Sequence, residues 1–255
     1  MISGVILANV DRLFLSKLLA VEELGKYTLA WTVTGFLQIG IQPFYRAYFP
    51  RFSELVAAGD KEKLRQEYYQ GCRLTAWVIV PFSLIGLVFA NEIFWVWIGK
   101  RDETVVGVFR WLMIGVAGSG LMWLPAAFQQ AHGWTRLHAL MIAGALGIGV
   151  PLLWWAIENW GTVGGTTVWV LHGISDITLG LWLMHRRLLP GELNEWYRTV
   201  LLMPLIFCLP IIGLSWWLMP AAMSRWSAAG WLTTTCMLMA FSICFFSKFG
   251  NFRFR

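Results

Sequence analysis

Two aspartates and an arginine interrupt stretches of the sequence that are otherwise long and apolar. Asp11 and Arg12 lie within residues 1–19, and Asp176 lies within residues 163–184. A charge at membrane depth costs about 2.5–3.5 kcal/mol on insertion scales, so each aspartate is expected to face the protein interior or a wet cavity. Such a residue serves either as a proton or cation site and polar wall of a substrate path, or as a structural contact between helices. Both interpretations stay open here.

The next apolar stretch, residues 27–45, ends in a second group of polar residues. Gln42 and Pro43 add an amide and a break in the helical hydrogen bonding, and such breaks often line cavities in transporters. Arg46 follows, four residues before Pro50, and its side chain has two options: the cavity, or the inner membrane surface. The candidates for a substrate cavity or for ion coupling are therefore Asp11, Arg12, Gln42, Arg46 and Asp176.

Enzymatic chemistry has no comparable support in the sequence. The four histidines and four cysteines lack the spacing of a metal site, and no nucleophile motif, phosphate loop or paired-carboxylate site is present. We therefore predict no catalytic residue, no bound metal and no cofactor. Glycines such as Gly115, Gly118, Gly144 and Gly147 lie in apolar runs, where small residues let helices pack closely.

The elements that must carry these residues are membrane helices. Crossing the hydrocarbon core takes about 20 apolar residues in a helix. Eight stretches approach that length: 1–19, 27–45, 74–91, 111–135, 137–157, 163–184, 199–224 and 226–247. The apolar fraction of 58% and the mean hydropathy of +0.61 agree. The sequence predicts an all-α integral membrane protein with about eight transmembrane helices.

Net charge indicates topology rather than nucleic-acid binding. The chain carries a formal charge of +6, but no DNA- or RNA-binding module is visible. Most lysines and arginines fall in loops that are cytoplasmic if the first helix starts inside. The positive-inside rule then places both termini in the cytoplasm, and the excess charge suits contact with membrane lipid.

Two longer polar breaks organise the chain. In the first, residues 50–72, Asp60 is expected to cap a helix that starts at Lys61, either an amphipathic helix on the cytoplasmic surface or an extension of the next span. In the second, Pro190-Gly191 predicts a turn. It divides a six-helix unit, residues 1–187, from two additional transmembrane helices, residues 188–255. The first stretch is barely long enough for one crossing, so a preceding segment is expected.

Several motifs resemble Wzx-type polysaccharide and O-antigen flippases of the multidrug/oligosaccharidyl-lipid/polysaccharide exporter superfamily. The resemblance begins with residues 9–64 and covers nearly the whole chain. Its elements are Asp11 in a helix, Gly25-x-Tyr27, Pro50 with Ser53, Gly59-Asp60, Trp97-Ile98-Gly99 and the sequence IENWGTVGGTTVWVL at 157–171. In that family two six-helix lobes surround a central cavity, and this chain resembles the C-terminal lobe with two appended helices.

The resemblance implies a transport function in the bacterial inner membrane. Such proteins move undecaprenyl-diphosphate-linked oligosaccharide, including O-antigen units of lipopolysaccharide, from the inner to the outer leaflet. It implies that Arg12 and Arg46 are cavity cations near the diphosphate or acidic sugars, that Asp11 couples transport to an ion, and that an N-terminal six-helix lobe completes the path. The alternatives are a membrane enzyme of the same pathway, such as a polymerase, ligase or acyltransferase, and an inactive fragment.

Overall fold

The apolar runs form long helices in a computed structural model of the chain. The structure describes residues 10–220 and 223–249, without the side chains of residues 138 and 242–249. Every regular element in this part of the chain is helical. The α-helices are α1 (Val10–Leu18), α2 (Val21–Ala58), α3 (Lys61–Val88), α4 (Ala90–Ile98), α5 (Glu103–Leu121), α6 (Trp123–Ala131), α7 (Arg136–Gly164), α8 (Thr167–Ser175), α9 (Leu181–Leu188), α10 (Leu193–Trp196), α11 (Met203–Trp217) and α12 (Arg225–Phe249). Two π-helical segments, Asp176–Gly180 and Tyr197–Leu202, join α8 to α9 and α10 to α11.

Within the described residues, five helical segments are long and apolar enough to cross a membrane. They are Lys61–Val88, Glu103–Ala131, Ala139–Gly164, Thr167–Leu188 and Leu193–Trp217. The chain is therefore a multi-pass helical membrane protein. Of the other predicted spans, residues 27–45 lie in α2 and residues 226–247 lie in α12, while residues 1–19 fall partly outside the described residues. Gln38 and Gln42 lower the mean hydropathy of α2. The count of eight spans stays a prediction.

The first long polar break of the sequence, residues 50–72, is helical except at Gly59 and Asp60. Helix α2 continues through Pro43 and Pro50 to Ala58, because a proline in a membrane helix is tolerated where neighbouring groups satisfy the freed carbonyl. The side chain of Asp60 accepts a hydrogen bond from the backbone N of Lys63 at 3.1 Å, so the predicted cap is confirmed. Helix α3 then runs without a break from Lys61 to Val88. The segment is therefore an extension of the next span and not a separate surface helix.

Glycines set the closest approach between helices, where α5 crosses α8. A Cβ atom on Gly173 would lie 2.1 Å from the carbonyl oxygen of Gly115, and one on Gly118 would lie 2.7 Å from the carbonyl oxygen of Gly173. The predicted packing role of Gly115 and Gly118 is confirmed. Gly144 and Gly147 behave differently: among the described residues nothing lies within 4 Å of a Cβ placed on either one. Their face of α7 is open.

The turn between α7 and α8 lies beside α1 and the start of α2. Gly161 has φ +56°, a conformation that residues with a Cβ rarely adopt, and it bends the chain at the Gly-x-x-Gly-Gly motif. Thr162 donates a hydrogen bond to Glu23 at the start of α2, and Lys26 donates another at 2.7 Å. Lys26 first and Thr162 second lower the pKa of the Glu23 carboxyl group.

The last helices pack on the outer side of α3 and α4. Helix α11 lies against α3, and α12 lies against α4 and α11. Arg225 anchors α12 by donating to the carbonyl oxygens of Val96 at 2.8 Å and Trp97 at 3.0 Å. Trp196 and Val200 nevertheless belong to the main buried core of the chain. The domain division at residues 187 and 188 stays a prediction.

Candidate functional site

An open cavity of about 540 Å³ lies between α2, the junction of α5 with α6, and the helices α7 and α8. Its polar and charged lining residues are Gln38, Gln42, Arg46, Ser119, Gln130, His172 and Asp176, and its aromatic ones are Tyr45, Trp123 and Trp169. Three of the five predicted site residues, Gln42, Arg46 and Asp176, therefore line one cavity. Asp11 and Arg12 are not among its lining residues.

Helix α2 supplies one wall by its periodicity. Gln38, Gln42 and Arg46 follow each other at four-residue intervals, which places them on one face of a helix. Arg46 is exposed, and no carboxylate among the described residues lies within ion-pair distance of it. Arg46 lines the cavity in the structure, and its reach to the inner membrane surface stays an alternative.

Helix α6 provides an amide, Gln130, and an aromatic ring, Trp123. Tyr45 on α2 donates a hydrogen bond to Oε1 of Gln130 on α6 at 3.0 Å. This bond fixes the amide and leaves its nitrogen to donate elsewhere. The Tyr45 ring meets the Trp123 ring edge to face, with centroids 6.2 Å apart. Neither Gln130 nor Trp123 was predicted, because only the tertiary packing brings α6 to α2.

Helix α8 supplies the opposite wall. Trp169, His172 and Asp176 are spaced by three and four residues and share a face. The Nε2 atom of His172 lies 3.4 Å from Oδ2 of Asp176, and both side chains are buried. The π-helical segment begins at Asp176, and such segments occur frequently at functional sites. His172 was not among the predicted site residues because the histidines lack the spacing of a metal site, although its four-residue separation from Asp176 in an apolar run was a usable signal.

Asp11 lies directly behind this wall. Its buried carboxylate accepts hydrogen bonds from the hydroxyl of Tyr27, from Nε1 of Trp169 at 2.9 Å and from the backbone N of Arg12 at 2.8 Å. These partners make the contact between α1, α2 and α8 that the structural interpretation of Asp11 requires. Because the Trp169 ring lines the cavity, the carboxylate is one side chain away from it.

Arg12 lies in the same layer. Its guanidinium carbon is 5.3 Å from the centroid of the Trp31 ring, within the range of a cation–π contact. The Trp31 ring in turn packs against Trp169, with centroids 4.6 Å apart. Arg12 is therefore connected to the cavity through two tryptophans and does not reach it directly.

The chemistry of the site is that of binding. The lining combines one cation, amides, aromatic faces and one imidazole–carboxylate pair. Among the described residues, no group of three or more histidine, cysteine, aspartate or glutamate side chains is placed to hold a metal ion. A cavity of this kind can hold an amphipathic, partly anionic molecule without making or breaking covalent bonds.

Comparison with known proteins agrees with this description. The family model MatE matches residues 1–155. A protein of Shigella flexneri named "Putative O-antigen transporter" is 26% identical over 179 residues, which are 69% of this chain and 42% of that protein. The chain thus spans less than half the length of this relative. No solved structure matches. The predicted resemblance is confirmed: the chain belongs to the MatE family, and its similarity to a protein named as an O-antigen transporter supports a Wzx-type exporter.

Proposed function

We propose that this chain forms the C-terminal cavity wall of an exporter that moves lipid-linked oligosaccharide across the bacterial inner membrane. The observation that carries the proposal is the pairing, in one cavity, of the uncompensated cation Arg46 with amides and aromatic rings. The family and the relative named as an O-antigen transporter support the same class of function.

The chemistry of such a substrate matches the lining. A diphosphate offers several oxygens as acceptors to the planar fork of N–H donors on a guanidinium, and Arg46 lies exposed in the cavity. Sugar hydroxyls are donors and acceptors, which the amides of Gln38, Gln42 and Gln130 satisfy. The apolar faces of sugar rings fit against Trp123 and Tyr45. Asp11 and Asp176 are the proposed ion-coupling residues, the first acting through Trp169.

A single wall does not enclose a transport path. Alternating access requires two bodies that move against each other around a site near the midplane. We propose that an N-terminal six-helix lobe covers the open cavity, in keeping with the greater length of the relative. By this proposal, the 255-residue chain does not flip lipid-linked sugars alone, and a matching first lobe restores the activity.

Arg46 gives the most direct test of the proposal. The chain in lipid nanodiscs is expected to bind farnesyl diphosphate, a soluble stand-in for the prenyl diphosphate, and Arg46→Gln should weaken binding by about tenfold to a hundredfold, since a hydrogen bond to a charged group contributes about 1.5–3 kcal/mol. Arg46→Lys should lose part of the affinity because it lacks the planar fork. Binding is measured by calorimetry, with farnesol as the uncharged comparison ligand.

The matched control for Arg46 is Arg51, which lies one turn further along α2. Arg51 forms ion pairs with Glu54 at 3.4 Å and Glu67 at 3.5 Å and does not line the cavity. Arg51→Gln should leave the affinity for farnesyl diphosphate unchanged. Equal affinity of Arg46→Gln and the unaltered chain would contradict the proposed anion site.

We further propose that both termini lie in the cytoplasm and that the chain makes eight crossings. A cysteine at position 63, at the start of α3, should then resist a membrane-impermeant thiol reagent added to intact cells. A cysteine at position 100, between α4 and α5, should react. Both positions are exposed, and the native cysteines are replaced first. Strong labelling at position 63 from outside would overturn this topology.

A further inference from the structure

His172 and Asp176 form a buried titratable pair that the proposed function leaves partly unused. His172 lies on α8, and Asp176 is the first residue of the π-helical segment. Nε2 of His172 and Oδ2 of Asp176 are 3.4 Å apart. The side chains of His172 and Asp176 are 9% and 5% exposed. They nevertheless line an open cavity, so protons can reach them through water while most of each side chain is shielded.

We propose that His172 and Asp176 together bind one proton, and that the proton-free, negatively charged pair competes with anionic ligands for Arg46. The competition for Arg46 rests on the proposed function, whereas the proton site depends only on the geometry of the His172–Asp176 pair. The proton comes from water in the cavity. Its uptake changes the net charge of the pair from −1 to 0, as imidazolium with carboxylate or as imidazole with carboxylic acid, and the proton belongs to the pair as a unit.

The residue types suit a proton better than a metal cation. Imidazole is the side chain whose charge changes between about pH 5 and 8. A nearby positive charge, such as a protonated imidazole, stabilises the charged form of a buried carboxylate. No further ligand is needed, because one proton held between Nε2 of His172 and Oδ2 of Asp176 satisfies both atoms.

The surroundings of the pair leave Arg46 as the permanent charge on the cavity wall. From α2, Tyr45 and Arg46 line the same cavity, and from α1, Asp11 is held behind Trp169. Tyr197 donates to the carbonyl oxygen of Ile177 beside the pair. The described lining side chains of α5, α6 and α7 are uncharged: Ser119, Trp123, Ala126, Gln130 and Ile142.

Proton binding and anion binding are consequently linked. An anion next to Arg46 is repelled by the negative pair and not by the neutral one. By reciprocity, an anion that binds raises the proton affinity of the pair. One elementary charge across a partly solvated cavity of this size changes the affinity for the anion on the order of tenfold.

Infrared difference spectroscopy tests the proton site without any transport measurement. Spectra of the chain in nanodiscs at pH 5 and pH 8 should differ by a carboxylic-acid or imidazolium band that the double variant His172→Gln/Asp176→Asn lacks. Asp176→Asn alone preserves the shape of the side chain and serves as the second variant if the double variant does not fold. An unaltered difference spectrum in these variants would overturn the proposal.

Binding of benzene-1,3-disulfonate, whose charge is constant over this range, tests the linkage. The affinity of the unaltered chain should rise on the order of tenfold from pH 8 to pH 5. Asp176→Asn should bind at pH 8 about as tightly as the unaltered chain at pH 5. Gln42→Ala, a lining variant that cannot titrate, should keep the ratio of the two affinities. An affinity that does not change with pH would overturn the linkage.

The two proposals fail in different ways. If the disulfonate does not bind at either pH, or binds equally well to Arg46→Gln, the anion site of the proposed function is wrong. The infrared band then still decides whether the pair binds a proton. If the anion binds through Arg46 but the band is absent, the proton site is wrong and the proposed function stands.

Discussion

Replacing Gly173 with alanine is expected to separate α8 from α5 and to leave little folded protein in the membrane. The new Cβ would lie 2.1 Å from the carbonyl oxygen of Gly115, and 2.8 Å and 2.9 Å from the two carbon atoms of that residue's backbone. Backbone atoms cannot move aside as the end of a flexible side chain can. Overpacking of a core typically costs about 1–3 kcal/mol, and this clash with main-chain atoms belongs at or above the top of that range.

The position of Gly173 also links this contact to the cavity. Gly173 follows His172 directly, and the carbonyl of Trp169 lies against Gly115, where a Cβ would be 2.5 Å from the oxygen. Any shift of α8 away from α5 therefore moves Trp169, His172 and Asp176 together. Chain that does fold with alanine at position 173 should bind the disulfonate more weakly.

Gly147→Ala is the matched control for Gly173→Ala. Both positions are helical glycines, but a Cβ on Gly147 meets nothing within 4 Å among the described residues. Alanine should be neutral or stabilising there, by about 0.5–1 kcal/mol from helix propensity. The midpoint of thermal aggregation and the folded fraction after size-exclusion chromatography measure both variants. Equal stability of Gly173→Ala and Gly147→Ala would show that the α5–α8 contact is less tight than described.

Asp11→Ala is expected to cause the second large loss. It leaves Nε1 of Trp169 buried without its acceptor, at a cost of about 1–3 kcal/mol. The hydroxyl of Tyr27 keeps only its long hydrogen bond to the carbonyl oxygen of Gly165, at 3.4 Å. Asp11→Asn should be milder because an amide oxygen in the place of Oδ2 can still accept both bonds, although its NH2 group then faces the backbone N–H of Arg12. Folded protein is again measured by chromatography and thermal aggregation.

Transport by the complete two-lobe exporter distinguishes the two roles of Asp11. If the carboxylate couples transport to an ion, Asp11→Asn should lower flipping per folded molecule while insertion and expression stay near normal, and Arg12→Ala should do the same. Tyr27→Phe is the comparison variant, since it removes a partner of Asp11 but keeps the charge. Equal loss of protein level and transport would favour the purely structural contact. Asp11→Ala protein with normal stability would contradict the contact itself.

Local sequence features predicted the structure correctly where a single segment determines it. The apolar runs predicted membrane helices, since a backbone in lipid must satisfy its hydrogen bonds within the segment. Asp60 predicted its cap because the acceptor and donor are three residues apart. The polar break predicted from residue 50 begins later in the structure, because α2 continues through Pro50 to Ala58.

The candidate site could be predicted only in part. Gln42, Arg46 and Asp176 stood out as polar groups in apolar runs, and the structure places all three on one cavity. The same reasoning left Asp11 open between a cavity site and a structural contact and made Arg12 a cavity candidate. The structure puts both residues one layer behind the cavity, in contact with Trp169 and Trp31. His172 was considered only as a metal ligand, and Gln130 was not predicted, because a polar residue's role depends on what faces it.

The sequence by itself therefore determined that the chain is helical, lies in a membrane and carries costly polar groups there. These properties follow from composition and from hydrogen bonds between residues a few positions apart. Only the tertiary structure decided which of those groups meet. Gly115 and Gly173 bring α5 and α8 together, and this contact sets the wall that holds Asp176 opposite Arg46. The glycines predicted close packing but not which helix they would meet, because that depends on the shapes of helix faces far apart in the chain.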